Sequence, residues 1–274
     1  MNSQLRETAR FDVNDGGPYV DLLRQLRLWR ADQDTRLLRA GILVGLAWFV
    51  PLVISAVEGN AIGAASDEPF LLSLNAWARF FVAVGLFVLS EKFVAGMLQI
   101  ILTRFFDAPI VAETSNEKAA DLVRQALERR NSHTAEWIIL ALAVLTTAGT
   151  SQMVATTADG ASWIVQPDSE GAMRMTLAGI WGVFVSGSIF FFLVYRWAWR
   201  FFIWSRLLAS FSTLELRLSV LHPDGSGGLK FVGLTPIAFA PLVLAISLWI
   251  APVVAQFLLQ AEAATRALTV IMFG

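Results

Sequence analysis

Apolar residues run almost without interruption through 37–57, 77–105, 136–156, 175–197 and 231–259. Each stretch reaches the ~20 residues that an α-helix needs to cross the roughly 30 Å hydrocarbon layer of a bilayer. An open strand in lipid would leave its backbone groups unpaired, and none of the stretches alternates as a barrel strand does, so all are predicted helices. The fold class that follows is all-α: a polytopic transmembrane helix bundle of about five spans. A polar segment, 1–36, precedes a transmembrane domain, 37–274. After Gln260 the chain turns apolar again, which predicts the start of a sixth span near Ala267 and reads as a C-terminally truncated fragment.

Charge sorts by side. Arg6, Arg10, Arg24, Arg27, Arg30, Arg36 and Arg39 precede the first span. Lys118, Arg124, Arg129 and Arg130 lie between the second and third, near Arg104, and Arg196, Arg200, Arg206, Arg217 and Lys230 between the fourth and fifth. The alternate loops carry Glu58, Asp67, Glu68, Asp159, Asp168 and Glu170 against Arg79 and Arg174, with Arg266 after the fifth span. By the positive-inside rule the N-terminus is cytoplasmic, in a bacterial-type inner membrane.

Two polar-side stretches repeat apolar residues at helical spacing. Tyr19, Leu22, Leu23, Leu26 and Trp29 form one stripe; Leu207, Phe211, Leu214, Leu218 and Leu221 form another. Both predict amphipathic helices that lie on the membrane or dock a partner. Tyr195, Trp197, Trp199 and Trp204, with Arg196 and Arg200, mark the inner interface, where rings and snorkelling guanidinium groups settle. Gly41 with Gly45, and Gly182 with Ser186, are four apart, a spacing that lets helix backbones approach closely. Pro51, Pro236, Pro241 and Pro252 are candidate kinks.

Composition narrows the function. Hydrophobic residues make up 56% and charged residues 16% of the chain, so the bilayer is part of the folding solvent. A net charge of -1 argues against a nucleic-acid partner. With no cysteine, disulfides, thiolate metal sites and cysteine nucleophiles are excluded. His133 and His222 are too few and too far apart for a metal centre, so neither metal nor cofactor is predicted. The polar residues 1–35 are no cleaved signal peptide. There is no internal repeat of the kind many secondary transporters carry, and no triad or phosphate loop.

Glu91 and Lys92 are the first chemical candidates. Only residues 80–90 separate Arg79 from Glu91, so some ionisable group must enter the membrane. If one long helix spans this region, the pair falls near mid-depth, where each charge costs about 2.5–3.5 kcal/mol unless a polar group offsets it. Depth counting puts Thr146, Thr147 and Thr150 of the third span, and Ser186 and Ser188 of the fourth, at the same level. Glu91 would then titrate in an ion- or solute-permeation site, with Lys92 as counter-charge. Adjacent helical residues point about 100° apart, so the two do not satisfy each other well. In the alternative, the helix ends near Ser90, the pair lies at the cytoplasmic interface, and Arg79 is the buried charge.

The second candidate is the run His222, Pro223, Asp224, Gly225, Ser226, Gly227, Gly228, Leu229 before the fifth span. Its amides could hold an anion or lipid headgroup, helped by Arg217 and Lys230. It could equally be a tight turn, with Pro223 ending one helix and Asp224 or Ser226 capping the next. Through His222, Pro223, Asp224, Gly227, Gly228, Leu229 and Phe231 the run resembles an HPDxxGGLGFL motif of uncharacterised multi-pass bacterial membrane proteins; Lys230 stands where that motif has glycine. The resemblance implies a similar layout of spans and a longer C-terminus. It implies no activity. Three readings stay open: permeation through a mid-membrane polar site, a membrane scaffold or sensor that binds a partner or lipid at its cytoplasmic face, and a membrane enzyme acting on lipid at the inner interface. A homo-oligomer could build a pore between subunits.

Overall fold

The computed structural model describes residues 11–29, 34–62, 68–107, 110–157, 161–219 and 222–273, with the side chains of 152–157, 256–257 and 259–273 left undescribed. Arg6, Arg10, Arg30, Asp67, Asp159 and Leu221, which figure in the patterns above, lie outside the described residues.

Helix α1 (Pro18–Gln25) precedes the first span, α2 (Arg36–Val57). The second span, α3 (Leu74–Asp107), is followed by the polar helix α4 (Asn116–Arg130) and then α5 (His133–Thr157). A short antiparallel hairpin, β1 (Val165–Pro167) and β2 (Met173–Met175), leads into α6 (Leu177–Phe211). A 3-10 turn, Lys230–Leu234, opens α7 (Thr235–Phe273). Helices α2, α3, α5, α6 and α7 each hold a stretch long and apolar enough to cross a membrane, which makes this a multi-pass integral membrane protein. Large apolar side chains such as Phe49, Trp137, Leu145 and Val243 face outward on them, as a lipid-facing surface requires.

The bounds of the spans fall within a few residues of the hydropathy reading, except that α6 runs on to Phe211. Three details differ. Helix α7 continues unbroken from Thr235 through Gln260 and Ala267, so no separate helix starts there. Among the described residues of the stripe from Leu207 to Leu221, which reach Leu218, there is no amphipathic helix beyond Phe211. Ser210, Ser212 and Thr213 hydroxyls bond back to carbonyls three or four residues earlier, a competition that weakens helix. The backbone then pairs with 110–112: Leu216 bridges Val111, Ala112 N–H donates to Glu215 O and Arg217 N–H to Ile110 O. Finally, among the described residues nothing lies within 4 Å of a Cβ built on Gly41 or Gly45, so none of them makes a close helix contact at these glycines.

The chain divides into two compact units. The first comprises 1–40, 87–144 and 191–242, and holds the span ends that the charge pattern assigns to the cytoplasm, with α1 and α4. The second comprises 41–86, 145–190 and 243–274, with the hairpin. In the second unit α2, α3 and α6 each contain a π-helical stretch, at Gly45–Phe49, Trp77–Ala83 and Trp181–Ser186. Pro51 accounts for the first: it has no N–H to give back, and Leu46 O accepts Trp181 Nε1–H at 2.9 Å instead. Trp48 packs on Phe70, Trp77 and Phe81, and Phe70 on Trp163. Gly182 is where Trp163 rests, with the ring 2.6 Å from where a Cβ would sit. Thr176 Oγ1 caps α6 at Gly179 N–H, and Glu58 accepts the N–H groups of Leu177 and Ala178, placing a carboxylate at the positive end of that helix.

Candidate functional site

Helix α3 is interrupted at Ser90, between its α-helical stretches Val84–Leu89 and Glu91–Asp107. Carbonyls around the break go to side chains: Phe87 O accepts Trp197 Nε1–H, Leu89 O accepts Arg36 Nη1–H, and Glu91 O accepts Asn14 Nδ2–H at 2.6 Å. The break turns the Glu91 carboxylate, 5% exposed, into the first unit. There Oε2 accepts Arg39 Nη1–H at 2.6 Å, and Oε1 lies 3.5 Å from Arg200 Nη1 and 3.9 Å from Arg196 Nη1. Lys92, next in the chain, is 73% exposed on its side chain, with Asp34 at 3.9 Å.

A second carboxylate completes the cluster. Glu136, in the first turn of α5, has Oε1 3.4 Å from Arg196 Nε, and its Oε2 accepts the Tyr19 backbone N–H at 2.6 Å. Gly17 makes this approach feasible. Its φ is +88°, a region that favours glycine, and a Cβ there would lie 2.5 Å from Glu136 Oε1. Each guanidinium also lies over a ring: Arg39 over Trp29, Arg196 over Tyr19 and Arg200 over Trp197, at 4.3–4.6 Å. Arg39, Arg196 and Arg200 are all buried, so Arg196 and Arg200 do not snorkel to an interface; Trp197 and Trp204 are buried with them.

The N-terminal segment is built into this cluster. Phe11 and Val13 are buried, Phe11 against Trp204, and Asn14 O lies 3.4 Å from Arg200 Nη2. Arg130 Nη1–H donates to Asp12 O. Tyr19 packs on Phe192. The predicted stripe on α1 divides: Leu23 is buried with Val20, whereas Leu22 and Leu26 are exposed. Burial pushes the Tyr19 hydroxyl up from its ordinary value, raises the Asp12 carboxyl despite the Asn14 amide and Arg200, and lowers Arg130.

The remaining candidates of the spans lie in the second unit. Ser188 Oγ is 3.5 Å from Thr147 Oγ1, and Thr150 Oγ1 donates to Thr147 O. Ser186 is buried; Thr146 is half-buried. Arg79 meets them at Gly187. A Cβ there would lie 3.3 Å from Thr147 Cγ2 and 3.6 Å from Arg79 Nη2. The Arg79 guanidinium faces the rings of Phe80, Phe190 and Trp249 at 4.9–5.8 Å. Thr147, Ser188 and Arg79 therefore come together, while Glu91 and Lys92 belong to the first unit.

At the glycine-rich run the chain supplies its own anion. The Asp224 carboxylate accepts the backbone N–H groups of Ser226, Gly228 and Lys230 at 2.9–3.2 Å, and His222 Nδ1 lies 2.8 Å from Oδ1. Gly225, Gly227 and Gly228 have φ of +67°, +67° and +99°, which only glycine adopts freely. Desolvation would raise the Asp224 carboxyl, but these donors outweigh it and hold the group well below the usual carboxylate range. The amides of Ser226, Gly228 and Lys230 are thus taken by the chain itself, and Arg217 engages Ile110 O through its backbone. Among the described residues no three His, Asp or Glu side chains converge as a metal site.

Sequence reasoning singled out Glu91 but missed Asn14, Tyr19, Arg39, Glu136, Arg196 and Arg200 as its surroundings. The available signal was that Arg39, Glu91, Glu136 and Arg196 sit at span ends on the same predicted side. No protein-family model matches the chain, and no match is found among curated proteins or solved structures.

Proposed function

We propose that this is an inner-membrane scaffold or sensor whose working surface is the cytoplasmic end of the bundle, where a buried charge cluster latches the N-terminal segment to the span ends. The observation that carries this reading is the set of contacts from Asn14 and Tyr19 to Glu91, Arg200 and Glu136. Buried ion pairs are poor general stabilisers, because desolvation offsets most of their attraction, but they discriminate sharply between a matched and a mismatched arrangement. That suits a segment that is either seated or released. A partner or lipid headgroup that competes for the segment would shift the balance, and the exposed Leu22 of α1 and Leu26 just after it are available to such a partner.

A second reading, ion or small-solute permeation, draws on Arg79, Thr147 and Ser188 meeting beside Gly187 within the spans, since an ionisable group inside the membrane is a candidate pathway residue. Flux of protons and ions into proteoliposomes separates the two. The latch reading expects no flux from wild type, Glu91→Gln or Arg79→Gln. Flux in the wild type that Arg79→Gln removes would favour permeation.

A further inference from the structure

We propose that a small hollow beside the charge cluster, lined by Arg130, Arg196, Arg200, Trp199, Glu136 and Gly16, binds one monovalent, single-atom anion of the chloride class. The hollow measures about 10 Å³, room for about one water-sized particle. That size excludes phosphate, sulfate and a lipid headgroup.

The lining is rich in donors. Arg196 is 3% exposed, and among the described residues its Nη1 has no hydrogen-bond partner, Glu91 Oε1 being 3.9 Å away. Trp199 Nε1 is likewise buried without an acceptor. Guanidinium and indole groups only donate, so whatever satisfies them must accept. Glu136 is the carboxylate in the lining; its Oε2 accepts the Tyr19 amide at 2.6 Å and its Oε1 lies 3.4 Å from Arg196 Nε.

Charge points the same way. Among the described residues of the lining, three guanidinium groups, of Arg130, Arg196 and Arg200, stand against the one carboxylate of Glu136, with Glu91, Asp12 and Asp15 pairing them from outside it. Buried surplus charge is costly unless paired, and one anion would offset it. Because Gly16 comes from the N-terminal segment and Arg196 and Trp199 from α6, the anion would join the two. The site stands on the geometry of the cluster alone and holds whether or not the segment works as a latch.

The test is thermal unfolding of the full chain in nanodiscs, with gluconate replaced stepwise by chloride or bromide at constant ionic strength. Wild type is compared with Trp199→Phe, which keeps a ring and removes the donor. A saturable rise in Tm for wild type, with its midpoint moved about tenfold higher in Trp199→Phe, is the expected result. No halide-specific rise in wild type, or an identical response in the variant, would overturn the proposal. Should Trp199→Phe fail to fold, line broadening of the chloride NMR signal by wild-type protein, reversed by bromide, decides: broadening supports the site and its absence rejects it.

Discussion

Glu91 Oε2 accepts a hydrogen bond from Arg39 Nη1 at 2.6 Å, joining the start of α2 to the break in α3 across 52 residues of chain. Removing one member of a buried ion pair leaves the other uncompensated, at a cost of about 3–5 kcal/mol. Glu91→Gln is therefore expected to lower the free energy of unfolding in detergent by that order. Lys92→Gln, changing an exposed side chain 3.9 Å from Asp34, should stay within about 0.5 kcal/mol of wild type. Equal effects of the two substitutions would contradict the cluster.

Gly182→Ala should destabilise the second unit by about 1–3 kcal/mol, because the new methyl meets the Trp163 ring at 2.6 Å. Gly41→Ala, in α2 with open space around it, should be neutral or stabilising by up to about 1 kcal/mol. Thermal melts of both variants check the contrast.

Asp224→Asn should loosen the loop before α7 while leaving the spans in place, read as faster amide exchange at Ser226, Gly228 and Lys230. The pH dependence has a definite sign. Since the folded carboxyl is held below its unfolded value of about 3.9, its contribution is complete above roughly pH 5 and is lost as pH falls through the lowered folded value. Protection factors at these amides, with the intrinsic pH dependence of exchange divided out, should hold from pH 7 to 5 and fall in more acidic buffer; protection that instead falls on raising the pH would contradict the assignment.

The five spans were legible because a 20-residue apolar run has few other uses; counting depth set Thr147 and Ser188 at one level, but it also set Glu91 and Lys92 there, and these belong to the first unit. The surroundings of Glu91 were not. Depth fixes the level of a residue along a span but not the rotation of the helix about its axis. The 100° rule separated Glu91 from Lys92 without naming Arg39, Arg196 or Arg200. The stripe from Leu207 to Leu221 misled for another reason: periodicity cannot reveal that Leu216 finds a backbone partner at Val111. Nor does periodicity show the polar helix Asn116–Arg130, whose charges read only as a cytoplasmic loop.

Gly17→Ala should unseat α1 on two counts, the strain of a side chain at φ +88° and a clash with the Glu136 carboxylate. Limited proteolysis near residues 17–29 should be faster than in wild type, with cutting at 161–176 unchanged.

The most direct measurement of the latch is amide hydrogen exchange over Pro18–Gln25 in wild type and Glu136→Ala, both in nanodiscs. The substitution removes the carboxylate that the Tyr19 amide and Arg196 share. Exchange over α1 should quicken about tenfold or more, with Lys230–Leu234 unaffected. Protection of α1 equal to wild type would show that the cluster does not hold the N-terminal segment.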